Sequence, residues 1–229
     1  MRFVRNVKCM WYEWIGVGVL INFITKTTIL QSEEDAKKYD KNNSATVKIY
    51  TDESSIEGGI GAAATLYINN THCRSLQFHL GSDKHHTVFE AKLVGLMLGA
   101  ALLQQIDYLE DGTIAIDNQA AAKAITNFCS APGQHLIDFF LKQMSGLANR
   151  HKGVSFEIYW IPAHQGIPGN EEADKLAKQA AKQQCDFTPS LPAILHAPLP
   201  HRKSARKTAL TGQLKEKITP KCLPPTIES

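Results

Sequence analysis

The stretch Trp160-Ile161-Pro162-Ala163-His164-Gln165-Gly166-Ile167-Pro168-Gly169-Asn170-Glu171-Glu172-Ala173-Asp174 decides the reading of this chain. An apolar run over 154–161 leads into it, and alanines at 173, 177, 180 and 181 follow it. Two prolines and two glycines punctuate the middle, so the stretch reads as strand end, loop and helix start. The loop carries His164, and the helix carries Asp174 ten residues later. A loop histidine beside a helix aspartate suits a hydrolytic site that holds metal, provided that more carboxylates reach it. Asp52, Glu90 and Asp117 stand where such a site needs them.

Upstream, the pattern supplies a scaffold for these acids. Residues 47–52 alternate and end in Asp52. Gly58-Gly59 makes a turn, 60–68 is a strand of small and apolar residues, and Asn69-Asn70 makes a second turn into 73–80. That is a three-stranded antiparallel meander. Phe89, Leu93, Leu96, Ala100 and Leu103 recur at helical spacing and predict a long helix over 87–105. Residues 113–116 form a short apolar strand, buried on both faces and ending at Asp117. Helices follow over 119–127 and 135–150, then the strand and the helix of the opening stretch. The order β-β-β-α-β-α-α-β-α predicts an α/β fold, a five-stranded mixed sheet with helices on both faces.

If the strands that end at Asp52 and Asp117 are parallel neighbours, both acids emerge at the carboxyl edge, where open α/β sheets place ligands. Glu90, in the first turn of the long helix, and Asp174 return to that edge. Each acid alone has an ordinary explanation: a turn residue, a first-turn acid, a helix N-cap, an exposed helix acid. Together they repel, at about 4 kcal/mol per pair for ~4 Å and an effective dielectric of ~20. Protons or cations must offset this. Oxygen donors without a Cys or paired His nearby favour Mg²⁺ or Mn²⁺. Two such ions roughly 4 Å apart would clamp the attacking and leaving oxygens of a phosphodiester.

At these residues the chain resembles a ribonuclease H type 1 domain. The motifs are Thr51-Asp52-Glu53-Ser54, Thr87-Val88-Phe89-Glu90-Ala91, Asp117-Asn118-Gln119 and the run from His164 to Asp174. The last is the most specific. The style is similar to domains that end fungal retrotransposon reverse transcriptase polyproteins, although no Tyr-x-Asp-Asp of a polymerase occurs. The resemblance implies a ribonuclease H-like fold and cleavage of the RNA strand of an RNA–DNA hybrid. It implies two Mg²⁺ ions, replaceable by Mn²⁺, on Asp52, Glu90, Asp117 and Asp174, with His164 assisting proton movement or product release. Ser54, Gln119 and Asn170 are candidate contacts to the hybrid, whose RNA strand carries 2′-hydroxyls. A reverse transcriptase domain is the implied partner. Two residues depart from the pattern: Glu53 replaces a usual glycine, and Lys92 stands where related helices often carry an acid. Lys92 lies outside the implied metal set. Glu53 and the unusual N-terminus leave open a catalytically inactive nucleic-acid-binding module, and the fold alone leaves open a DNA-directed transposase, integrase or resolvase.

The flanks differ from this middle. Lys and Arg against Asp and Glu count 7 to 5 over 1–44, 11 to 14 over 45–185 and 7 to 3 over 186–229. Residues 1–44 read as an N-terminal extension with an apolar run over 11–24, too short and interrupted for a comfortable membrane span, and a polar linker over 31–45. Residues 186–229, with prolines at 189, 192, 198, 200, 220, 224 and 225, read as a basic tail, extended apart from a short helix over 204–217. Five scattered cysteines predict no disulfide framework and a reducing, intracellular setting.

Overall fold

The computed structural model describes residues 24–126, 133–185, 189–201 and 211. The sheet has six strands, one more than the sequence pattern predicts. The added strand is β1 (Ile24–Thr28), followed by α1 (Glu33–Asn42). Then come β2 (Val47–Ile56), β3 (Gly59–Ile68), β4 (Thr71–Ser82), α2 (Val88–Gln104) and β5 (Asp111–Ile116). The remaining elements are α3 (Gln119–Thr126), α4 (Gln134–Arg150), β6 (Ser155–Trp160), α5 (Pro168–Ala181) and a 3₁₀ turn (Ala193–His196). Strand order is β1-β6-β5-β2-β3-β4. The pairs β1–β6, β6–β5 and β5–β2 are parallel, and β2–β3 and β3–β4 are antiparallel.

Turn chemistry explains the antiparallel half. Asn69 and Asn70 both take positive φ, 50° and 60°, and close β3 onto β4. Glu57 and Gly58 do the same between β2 and β3, with φ of 55° and 79°. Two left-handed residues give the turn twist that a tight hairpin needs. The parallel half follows from crossovers through α2 and through α3 with α4.

Alternation along β2 assigns the two faces. Ile49 and Thr51 face α2, while Tyr50 faces α5. A Cβ on Gly99 would lie 2.8 Å from Ile49 Cγ2, so a glycine here lets α2 lie directly on the sheet. α2 is apolar on nearly every side because it is buried between the sheet and α4. The larger core lies on this face, with Leu93, Leu96, Met97, Ile114, Phe140 and Phe156. A smaller core with Tyr50, Tyr159, Ile167 and Ala173 lies on the other, under α5.

Two flanking segments belong to this body. Part of the expected linker, 33–42, is the helix α1. Ser32 caps it, its side chain accepting from Asp35 N at 3.1 Å. Asp40 Oδ1 accepts from Tyr50 Oη at 2.9 Å and Tyr159 Oη at 2.6 Å. Part of the expected tail also packs: Leu191, Leu195 and Leu199 enter the larger core. The apolar run up to residue 23 and the helix expected over 204–217 lie outside the described residues, Thr211 apart. No described helix is long and apolar enough to cross a membrane.

Asp40 ties α1 to the sheet through two buried tyrosines. Asp40→Ala should lower unfolding free energy by about 1–3 kcal/mol, because both hydroxyls lose their acceptor. The urea midpoint should fall at unchanged m value. An unchanged midpoint would show that α1 contributes nothing to the cooperative unit.

Candidate active site

The parallel pairing of β2 with β5 ends at Thr51 opposite Ile116. The next residue on each strand is an acid, Asp52 and Asp117, and so the two emerge side by side. β6 braces Asp117 from the other side: Trp160 Nε1 donates to its carbonyl at 2.9 Å. Helix α3 does not use its carboxylate, since Asn118 Oδ1 caps that helix by accepting from Ala121 N at 2.8 Å. Oxygen atoms of Asp52, Glu53 and Asp117 lie within 4.8 Å of one another.

Lys92 completes this cluster. From the first turns of α2 it reaches Asp117 Oδ1 at 2.9 Å and forms an ion pair with Glu53 Oε2. Asp52 is buried, 4% exposed. Its Oδ1 accepts from Glu53 N at 2.8 Å, and its Oδ2 lies 3.5 Å from the donor Asn170 Nδ2. Burial, then the charges of Asp117 and Glu53, push its carboxyl up to about 8. Burial likewise pushes Glu53 up to about 7, against the opposing pull of Lys92.

Helix α5 delivers Asn170 because its first turn lies flat on Tyr50. A Cβ on Gly169 would stand 2.2 Å from that ring. Thr65 Oγ1 donates to Gly169 O at 3.1 Å and holds the turn down. Asp174, one turn later, is also buried, and Lys178 Nζ donates to its Oδ2 at 2.5 Å. Asp174 is not one of the three clustered acids.

Glu90 is also outside that trio. Its Oε2 accepts from Thr87 N at 2.7 Å and Thr87 Oγ1 at 3.1 Å, while Glu90 N donates to Thr87 Oγ1: a capping box. Residues two apart on a helix are rotated by about 200°. Lys92 therefore meets the acids while Glu90 turns back on its own helix start. His164 is exposed on its loop at φ 51°, and Gly166 N donates to Glu171 Oε1 at 3.1 Å behind it.

Three proposed contacts to nucleic acid sit differently. Gln119 is half-buried at the start of α3. Ser54 and Asn170 are buried, 9% and 1% exposed, and Asn170 braces Asp52. The sequence reading missed Glu53 and Lys92 as partners. The available signal was their opposite charge at two departures from one motif set.

The donor set fits a hard divalent cation, since carboxylate oxygens converge and no thiol is among them. Without an ion, the folded chain keeps a proton on Asp52 up to about pH 8, while the unfolded chain releases it near 3.8. Between these values the folded state holds the extra proton, so stability falls as pH rises. Thermal melts in chelator should therefore show Tm falling from pH 5 to 8, and Asp52→Asn should flatten the slope. An equal slope in both proteins would remove Asp52 as its source.

The model of the RNase H family matches residues 44–182, more than half of the chain. Among solved structures, RNase H1 of the halophilic archaeon Halobacterium salinarum is 18% identical, with a TM-score of 0.45 over 60% of this chain and 98% of that one. An N-terminal RNase H domain from Mycobacterium tuberculosis is 18% identical, with a TM-score of 0.44 over 62% and 100%. LC11-RNase H1 from compost, in complex with an RNA/DNA hybrid, is 15% identical, with a TM-score of 0.47 over 60% and 97%. The chain belongs to the RNase H family, the ribonucleases of RNA–DNA hybrids.

Proposed function

We propose that this protein cleaves the RNA strand of RNA–DNA hybrids as an endonuclease, leaving 3′-hydroxyl and 5′-phosphate ends. The observation that carries this reading is the convergence of Asp52, Glu53 and Asp117 at the carboxyl edge of two parallel strands. Asp52 and Asp117 are the residues that hold divalent ions, Mg²⁺ or Mn²⁺. Asp174 joins them when Lys178, half exposed, turns into solvent. Glu90 adds its carboxylate only on leaving its contacts with Thr87. Bound ions supply a metal-activated water and charge stabilisation of the departing oxygen.

The chain's own residues do the rest. Asn170 orients Asp52, and Trp160 fixes the backbone at Asp117. His164, exposed and on a loop, takes or returns a proton at its imidazole as product leaves. Gln119 stands at the rim and meets the backbone of the hybrid. The resemblance to retrotransposon polyproteins supports work beside a reverse transcriptase domain, whose product is such a hybrid.

The test is cleavage of a labelled RNA–DNA hybrid in Mg²⁺, against double-stranded DNA of the same sequence. The natural chain should cut only the hybrid. Asp117→Asn should reduce kcat/KM by about two to three orders of magnitude, as expected for loss of a preorganised electrostatic group. Binding without cutting by the natural chain would replace this reading by that of an inactive hybrid-binding module.

A further inference from the structure

Lys92 enters the acid cluster and Lys178 meets Asp174 outside it, and the two are held differently. Lys178 has a side chain 47% exposed and pairs with Asp174 alone among the ion pairs seen. Turning away takes its ammonium straight into water. Lys92 has a side chain 11% exposed and stands between two anions, Glu53 and Asp117. The cavity left beside Thr51, Asp52, Glu53, Lys92 and Asp117 measures about 10 Å³. That is room for about one water molecule, not for a hydrated divalent ion.

The pairing also joins two features of the sequence. Glu53 adds one negative charge to the cluster and Lys92 adds one positive charge, so the pair leaves its net charge unchanged. Were Lys92 to leave, Glu53 would lose its cation in a site only 10% exposed and would have to take up a proton, which disfavours the departure. Glu53 therefore anchors the ammonium on Asp117. An exchangeable ion at that position must displace a charge that is covalently attached and doubly paired.

Building on the metal-dependent reading above, we propose that Lys92 is a standing cation of this site. Anchored by Glu53, it occupies the Asp117 side of the cluster and competes there with a divalent ion. The natural chain then takes one ion fewer, and binds ions more weakly, than the same acids without the lysine.

The experiment titrates Mn²⁺ into the whole chain. Calorimetry gives stoichiometry and affinity, and the electron paramagnetic resonance signal of free Mn²⁺ gives the bound fraction. Lys92→Met keeps the length of the side chain without its charge. The double variant Lys92→Met with Glu53→Gln also removes the anion left unpaired, and covers the case in which the single variant does not fold, as judged by circular dichroism. The natural chain should bind one Mn²⁺. Folded Lys92→Met should bind roughly tenfold tighter or more, because a unit positive charge beside the ligands has gone. Either folded variant should take a second ion, because the Asp117 side is then open. Two ions on the natural chain, or one ion only on a folded variant, would overturn the proposal and leave the metal reading intact. No Mn²⁺ on any folded form would overturn both.

Discussion

Crowded carboxylates at the end of two parallel strands are the constraint on which this structure depends. Parallel pairing puts the residues after Thr51 and Ile116 at one edge, and both are aspartates. Glu53 adds a third acid. Each close pair costs about 4 kcal/mol at ~4 Å with an effective dielectric of ~20. Folding must place positive charge or protons at that edge or lose a large share of its stability. Lys92 and the raised pKa of Asp52 are the two answers visible in the chain itself.

Packing on the two faces sets where those answers come from. On one face α2 lies against Ile49 and Thr51, close enough that Gly99 tolerates no side chain, and this brings Lys92 to the edge. On the other face α5 lies on Tyr50 through Gly169, and this brings Asn170 and Asp174. The alanines 173, 177, 180 and 181 are all buried on α5, so the helix axis can approach the sheet closely. The small residues of both helices thus act on the chemistry indirectly: they fix how far a side chain must reach.

Much of this was legible in the sequence. Alternation and the paired Asn69-Asn70 turn marked the meander, and helical spacing marked α2. The rule that ligands gather at carboxyl ends of parallel strands placed Asp52 beside Asp117. What was not legible depends on contacts between distant segments. Ile24–Thr28 is short and polar, and its place in the sheet comes from pairing with β6, where Lys26 meets Glu157, 131 residues on in the chain. The described residues 189–201 look like a proline-rich tail until Leu191, Leu195 and Leu199 meet the core. Asn170 and Ser54 read as surface polar residues because nothing local shows their burial. Glu90 matched a motif, yet its carboxylate oxygen serves Thr87, a role that the Thr87-to-Glu90 spacing also encodes.

A charge carried by the chain differs from a bound ion in one physical respect: it does not dissociate. A divalent ion neutralises the acids only when its concentration is sufficient, and the fold is stabilised in proportion to that occupancy. A lysine held by two carboxylates neutralises them at every ion concentration. The cluster is thereby kept folded without metal, and the same contact lowers its appetite for metal. Stability of the ion-free fold and affinity for the ion are then opposed through one side chain. The half-exposed Lys178 is less bound by this opposition, because its ammonium has one partner and turns directly into water, although Asp174 itself is buried. The two lysines therefore divide the edge into a side that yields readily to a cation, at Asp174, and a side that resists, at Asp117.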